Sequence, residues 1–467
     1  MWRVLSLVLL AVSVRLFVGL QGHSGRARPP LYGDFEAQRH WCEVTAHLPV
    51  GEWYAGRHAA NELAYWGLDY PPLTAYHARL VGALGSRLQP HSFALGRSRG
   101  AEDAATVQLM RASVVASDAL VYLPAVLLWH AGRASPAAAF ALLQPALLLV
   151  DHGHFQYNGV CLGLVALAAA LMGADADSLS GQLLGSAMFV MALNFKHMAM
   201  YYALAFFCFL LSRACRLGSL RAAVARVALL GVVVIGTTAL IWAPLIASGS
   251  AVAAFQRLFP LQRGLFEDKV ANAWCALEPL LRLRQRFDTG QLFGIAAVAT
   301  LSAAAPGCIL VLLRPSRRML MLGLASCSLA FFLFAFQVHE KNFLMPLLPV
   351  SLLFEDHPAM VLWSVIVGLF SMFPLLERDG LVIGYTVFQA MMAVGLGYYN
   401  RKSLVTLLPA IAIHALMVFR EPPSHLPHLW IMAVMLYSFC CFALLYVMVL
   451  RLQWIEWRAP ARKMKMA

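Results

Sequence analysis

Residues 222–245 read AAVARVALLGVVVIGTTALIWAPL, an apolar run in which Arg226 is the sole charge. At about 1.5 Å of rise per residue, a helix of that length crosses the roughly 30 Å hydrocarbon core of a bilayer. The same grammar recurs along the chain. Apolar runs lie near 4–20, 107–131, 136–150, 156–173, 180–194, 199–212, 222–245, 290–313, 319–336, 341–354, 358–375, 381–398, 403–419 and 427–450. They predict about fourteen spans, with broken or re-entrant helices at the short runs 136–150 and 341–354.

Composition agrees. Of 467 residues 61% are hydrophobic and 13% charged, against about 25% charged in soluble domains. So few charges cannot clothe a water-facing surface, which excludes a soluble enzyme, a secreted disulfide scaffold and a disordered chain. The prediction is an all-α polytopic membrane protein, a single membrane domain over 1–467. The net charge of +13 then needs no nucleic acid. With residue 1 in the cytosol, alternate loops carry Arg133, then Arg213, Arg216, Arg221 and Arg226, then Arg314, Arg317 and Arg318, then Arg401 and Lys402. This is the positive-inside pattern, and it calls for an even number of spans. The opposite face receives two long loops, 21–106 and 246–289, and in the first of them eight acids cancel eight bases. In the cytosolic tail, 451–467, Lys463 and Lys465 read either as a dilysine address for the endoplasmic reticulum or as ordinary cytosolic charge.

The first run contains Arg15, too costly a charge for lipid unless a carboxylate or phosphate meets it. A retained span is therefore preferred to a cleaved signal peptide. Seven of nine cysteines lie in or beside apolar runs, where they act as small hydrophobes. Cys42 and Cys275 fall in the long loops, and a bond between them is the less favoured reading.

Chemistry must come from the polar residues that remain. Residues 35–48 suggest an amphipathic helix lying on the membrane, closed by Pro49 and preceded by Asp34. That acid suits an N-cap and a catalytic carboxylate equally well. A second block, Tyr65-Trp66-Gly67-Leu68-Asp69-Tyr70-Pro71-Pro72, again sets an acid before a Pro-initiated helix. Its aromatics suit an interfacial belt or a sugar-stacking surface. Further clusters on the same side are Asp151 to Asn158, Arg263 to Lys269, Gln337 to Lys341 and Asn194 to His197. His152 and His154 match no strong metal-ligand spacing, and His339-Glu340 lacks the second His of a zincin because position 343 is Phe. No metal and no cofactor is expected. Neither GxxxxGK[ST] nor GxGxxG occurs, which removes a nucleotide-driven pump. A transporter, or an enzyme acting on a lipid-borne substrate, remains; no repeated halves favour the transporter.

The string Leu31-Tyr32-Gly33-Asp34-Phe35-Glu36-Ala37-Gln38-Arg39-His40-Trp41, followed by Trp66 to Ala75, closely resembles the GT-C-fold glucosyltransferases of glycosyltransferase family 57. The resemblance continues through Asp151 to Asn158, Gly264 to Asn272 and Phe336 to Lys341, and fades after about residue 355. It implies the GT-C fold, an endoplasmic reticulum location with a lumenal site, and dolichyl-phosphate-glucose as donor. It also implies α-1,3 transfer with inversion to a mannose of Man9GlcNAc2-PP-dolichol, the first glucose of that assembly. The blocks at Gly33 to Arg39 and Phe266 to Asn272 separate this branch from the sibling that adds the second glucose. A lipid-sugar flippase is the non-enzyme alternative.

Inverting displacement needs a base for the acceptor hydroxyl and cations for a phosphate leaving group. The resemblance assigns the base to Asp34 and makes Asp69 a second carboxylate of the site. Lys196, His339 and Lys341 are the expected phosphate ligands, with Glu340 beside them and Glu267, Asp268 and Lys269 closing over the donor. One departure is His197, where the family pattern expects Gln between Lys196 and Met198. Arg39 is either a phosphate ligand or the salt-bridge partner of Glu36 or Glu43 at helical spacing, the second preferred. Arg282, Arg284 and Arg286 suit a solvated loop better than a pyrophosphate site.

Overall fold

The computed structural model describes residues 2–174, 178–259 and 269–460, and they form an all-helical bundle. Eight of the described helices are long and apolar enough to cross a membrane: Ala104–Trp129, His197–Cys215, Leu220–Ala247, Thr289–Leu313, Arg317–Phe334, Val382–Tyr399, Arg401–Phe419 and Leu429–Arg458. Three shorter apolar helices, Asn158–Ala174, Leu179–Phe195 and Pro358–Ser371, complete the apolar body. The two short runs are broken. Residues 136–150 split into Pro136–Leu142 and Pro145–Leu147 and then widen into a π-turn at Leu148–Phe155. Residues 341–354 open on a 3-10 turn, Glu340–Phe343, before the helix Leu344–Ser351.

Arg317–Phe334 runs through the centre, packed on Thr289–Leu313, Leu429–Arg458, His197–Cys215 and Leu344–Ser351. At the periphery Leu220–Ala247 and Arg401–Phe419 turn most of their apolar side chains outward. Such a surface is stable against lipid and not against water. Small residues let backbones touch: a Cβ on Gly82 would fall 2.0 Å from the Cys42 carbonyl oxygen, where Pro72–Leu88 crosses Gly33–His47.

Two expectations about the first loop need correction. The helix begins at Gly33, and its N-cap is Tyr32 in a left-handed conformation, so Asp34 lies inside the first turn and is no N-cap. Nor is the helix amphipathic on a membrane surface. Every side chain from Phe35 to Thr45 is buried, because the helix is wrapped by Pro72–Leu88, the 3-10 turn Pro90–Phe93 and the Leu148–Phe155 turn. Its charges are paired internally instead. Arg39 binds Glu36 at 2.6 Å and Glu43 at 2.8 Å, and also donates to the Ser92 carbonyl and Ser98 Oγ. Arg39 is thus the salt-bridge partner and a structural residue. The guanidinium and hydrogen bonds overcome the cost of burial and hold the Glu43 carboxyl down at about 2.

Arg15 finds its carboxylate. It meets Asp118 at 2.7 Å with both side chains buried, and Asp118 also accepts from or shares a proton with His152 at 3.0 Å. The first helix is therefore wedged into the core by charge as well as by packing. Cys42 is a buried thiol with no disulfide bond.

Arg39→Met leaves Glu36 and Glu43 buried without their shared guanidinium. We expect it to cost about 3–5 kcal/mol of stability, read as a lowered melting temperature in detergent; an unchanged melting curve would show that the trio is not a structural anchor.

Candidate active site

The turn Leu148–Phe155, the strap around Ser24, the helix Gly33–His47 and the turn Glu340–Phe343 meet at one carboxylate. Asp34 Oδ2 accepts hydrogen bonds from Gln156 Nε2 at 2.5 Å, His154 Nε2 at 3.0 Å and the Lys341 ammonium. All three donors converge on Oδ2, which leaves Oδ1 clear of them, and the side chain is 25% exposed. A carboxylate gripped by one oxygen presents the other as a proton acceptor.

Local backbone explains the aim. Gly33 has φ +66°, and a Cβ there would lie 2.6 Å from Ser24 Oγ. Only glycine fits both the conformation and the gap. Ser24 then acts as a staple: its Oγ accepts from the Asp34 amide at 3.1 Å, and its own amide donates to the His154 carbonyl at 2.9 Å. On the other side Phe155, at φ +88°, swings His154 and Gln156 to the same carboxylate, its ring packed edge-on against Phe35.

The two histidines of the Asp151 to Asn158 block part company. His152 turns to Asp118, whereas His154 binds Asp34 through Nε2 and Asp379 through Nδ1, the latter at 2.5 Å. Lys196 stands behind Gln156. Its ammonium donates to Gln156 Oε1 at 3.1 Å and Asn158 Oδ1 at 2.5 Å, and lies 5.1 Å from the Tyr70 ring centroid. Asn158 is itself fixed by Asp151 at 2.7 Å. The Gln156 amide thus bridges the second cation to the carboxylate.

Charges set the protonation. Burial pushes the Asp34 carboxyl up, but the Lys341 ammonium and the His154 hydrogen bond outweigh it and hold the group well below the usual carboxylate range. Burial and the neighbouring Lys341 charge pull the Lys196 ammonium down to about 8. For His154, burial and Lys341 favour the neutral ring, but the hydrogen bonds and charges of Asp34 and Asp379 prevail and raise its pKa.

Beside this cluster a cavity of about 570 Å3 is lined by Lys269, Glu278, Arg284, Glu340, Arg378 and Met435, among others. Glu340 and Arg378, on its lining, are the chain neighbours of Lys341 and Asp379. Its lining mixes charged side chains of both signs with apolar ones such as Ile431, Met432 and Met435.

Comparison with known proteins agrees with this chemistry. The ALG6, ALG8 glycosyltransferase family matches residues 8–449. The chain belongs to that family. It is 38% identical over 494 aligned residues to the dolichyl pyrophosphate Man9GlcNAc2 alpha-1,3-glucosyltransferase of Saccharomyces cerevisiae, covering 94% of this chain and 89% of that one. To the Gallus gallus enzyme of the same name it is 42% identical, covering 83% and 77%. A probable enzyme of that name in Dictyostelium discoideum is 37% identical, covering 95% and 93%.

Of the residues expected in the site, Asp34, Lys196 and Lys341 are brought together. Glu340 and Lys269 line the adjoining cavity, and His339 is half-buried at the start of the Lys341 turn. Asp69 is half-buried next to Tyr70, whose phenol is raised by burial and by the Asp69 and Asp34 charges. Glu267 and Asp268 lie outside the described residues. Arg282 and Arg286 are exposed, whereas Arg284 reaches Glu278 at 3.4 Å on the cavity wall. Sequence reasoning missed His154 and Gln156 as donors to Asp34, although their block was marked. It missed Asp379 altogether: one acid in a short loop gives no signal that it pairs 225 residues away.

Gly33→Ala tests the aim of Asp34. The added methyl must displace Ser24 or the helix start, and a shift of about 1 Å at a reacting group costs about 10²-fold. We expect a fall of that order in kcat, together with a lowered melting temperature from the strained φ and the close contact. Full activity would show that the left-handed entry does not position the carboxylate.

Proposed function

We propose that this member of the family transfers glucose from dolichyl-phosphate-glucose to a mannose of lipid-linked Man9GlcNAc2-PP-dolichol, forming the first α-1,3-glucosyl linkage with inversion and without a metal. The observation that carries the reading is one hydrogen-bonded cluster of a carboxylate and two ammonium groups, Lys341 directly on Asp34 and Lys196 through Gln156, in a chain whose relatives bear that enzyme's name over most of their length. The same reading puts the fold in the GT-C class, with about fourteen spans, the loops 21–106 and 246–289 on the lumenal side of the endoplasmic reticulum membrane, and the tail 451–467 in the cytosol.

In this mechanism Asp34 Oδ1 takes the acceptor hydroxyl proton while the acceptor oxygen attacks the anomeric carbon from the face opposite the phosphate. The bond from that carbon to the phosphate oxygen breaks, and its electron pair leaves with the dolichyl phosphate. A phosphate needs cations more than a proton. Lys341 and Lys196 supply them, with His339 beside the phosphate, Asp69 orienting the sugars, and Glu340 with Glu267, Asp268 and Lys269 shaping the donor side. Lys341 has a second effect. While it rests on Asp34 the carboxylate is a poor base; when the donor phosphate draws the ammonium away, Asp34 loses its strongest partner and becomes more basic as the acceptor arrives.

The test is transfer by purified protein, in EDTA, from dolichyl-phosphate-glucose to the lipid-linked nine-mannose acceptor. Wild type is expected to transfer, and Asp34→Asn to lose about 10²–10⁴-fold in kcat. Donor binding should be equal or tighter, because the substitution frees Lys341 from its internal partner. Transfer only to an already monoglucosylated acceptor would assign the chain to the sibling reaction. Near-normal turnover of Asp34→Asn would move the base elsewhere.

A further inference from the structure

We infer that Asp379 is a positioning residue for the transfer reaction, acting through His154 to hold Asp34 ionised and aimed once Lys341 has moved to the donor phosphate. The inference rests on Asp34 as the base proposed above.

The geometry is a line of three side chains from three distant segments. Asp379 Oδ2 lies 2.5 Å from His154 Nδ1, and His154 Nε2 lies 3.0 Å from Asp34 Oδ2. Asp379 is 7% exposed and His154 1%. An imidazole between two carboxylates has an acceptor for each ring proton, so it can point only along that line. The loop is built to hold it: Asp379 ends the helix Phe373–Arg378, and the next residue, Gly380, has φ +75°. Asp379 thereby faces inward while its neighbours Glu377 and Arg378 are exposed.

Charge accounting gives the role. In the resting site Lys341 and His154 share Asp34, and Lys341 Nζ is 3.1 Å from His154 Nε2, so its charge opposes an imidazolium. When Lys341 turns to a phosphate, Gln156, which is neutral, and His154 are left on Oδ2. Among the described residues an imidazolium then becomes the only cation in contact with Asp34, and Asp379 is what balances it. The remaining groups around His154 do not compensate. Arg111 is engaged with the Gly153, Gln21 and Gly22 carbonyls, His23 stacks on Phe35, and Lys196 is separated from Asp34 by Gln156. During transfer the acceptor O–H bond breaks and the Asp34 Oδ1–H bond forms. The Asp379–His154 pair stays neutral as a unit before and after, so it stores no proton and supplies none.

Two readouts test this. The His154 pKa is measured in the full-length protein by hydrogen–deuterium exchange at its C2 position, in wild type, Asp379→Asn and Asp379→Glu. Transfer rate is measured against pH in the same three proteins. With the charge removed, the imidazolium persists only to lower pH. The His154 pKa should therefore fall by about one pH unit in Asp379→Asn, and the acidic limb of kcat, set by protonation of Asp34, should move up by about as much, about tenfold in rate on that limb. KM for the donor should change little, and Asp379→Glu should restore most of the shift. In a His154→Gln background, adding Asp379→Asn should cost less than twofold, because the two act in series. Superimposable pH profiles, an unmoved His154 pKa, or the same loss in both backgrounds would overturn the inference. Absence of transfer by wild type would overturn the proposed function instead, and the exchange measurement would still report on the Asp379–His154 pair.

Discussion

The convergence of three donors on Asp34 Oδ2 ties together segments separated by 120, 122 and 307 residues. Remove that carboxylate and Lys341, His154 and Gln156 lose their common acceptor. The site is a knot of charge at the meeting of helix ends, and the apolar helices serve to bring those ends to one place. A hydrogen-bonded charge in such a setting exchanges water for fixed dipoles, which makes it strong when every partner is present and expensive when one is missing. The supporting groups are themselves supported: Gln156 by Lys196, Lys196 by Asn158, Asn158 by Asp151.

Backbone strain gathers where this knot is tied. Seven described non-glycine residues have positive φ, and four of them, Tyr32, Trp66, Phe155 and Gln337, lie in the polar blocks around the site. Each precedes or sits among residues of the cluster or residues expected beside it: Asp34, His154 with Gln156 and Lys341 in the first case, Asp69 and His339 in the second. A left-handed residue turns the chain sharply without a loop, so two side chains near each other in sequence can face one atom. At Phe155 and Trp66 contacts of the residue's own ring offset the cost. Phe155 is fully buried against Phe35 and Tyr157, and the Trp66 indole donates to the Leu31 carbonyl at 2.5 Å.

Much of this was legible in the sequence, and the reasons differ by residue. The apolar body was legible because hydropathy integrates over twenty residues at a time. The paired roles of Arg39, Glu36 and Glu43 followed from helical spacing, which fixes neighbours locally. The status of Asp34 did not follow. An acid before an apolar helix start looks like a cap, and only the left-handed Tyr32 shows that the helix has already begun. The burial of Gly33–His47 was also hidden, since its polar content suggests a wet face and the partners that dry it come from elsewhere in the chain. Asp379 was the least legible: its loop has ordinary charge, and its partner is set by tertiary packing alone.

The arrangement also answers a difficulty peculiar to a membrane enzyme. A strongly charged pocket beside lipid would be costly to maintain empty, yet the reaction needs cations for phosphate and an anion for the proton. Here Asp34 is matched by Lys341, and Asp379 by His154, so the cluster carries its charges in pairs. On the proposed function, a phosphate arriving from the bilayer would break one pair by attracting Lys341 and leave the other intact. The energy of binding at the phosphate is thereby converted into basicity at Asp34, about the distance of one lysine side chain away. On that proposal, such coupling would favour transfer to a sugar hydroxyl held in place over loss of glucose to solvent, because the base would be released when the donor binds.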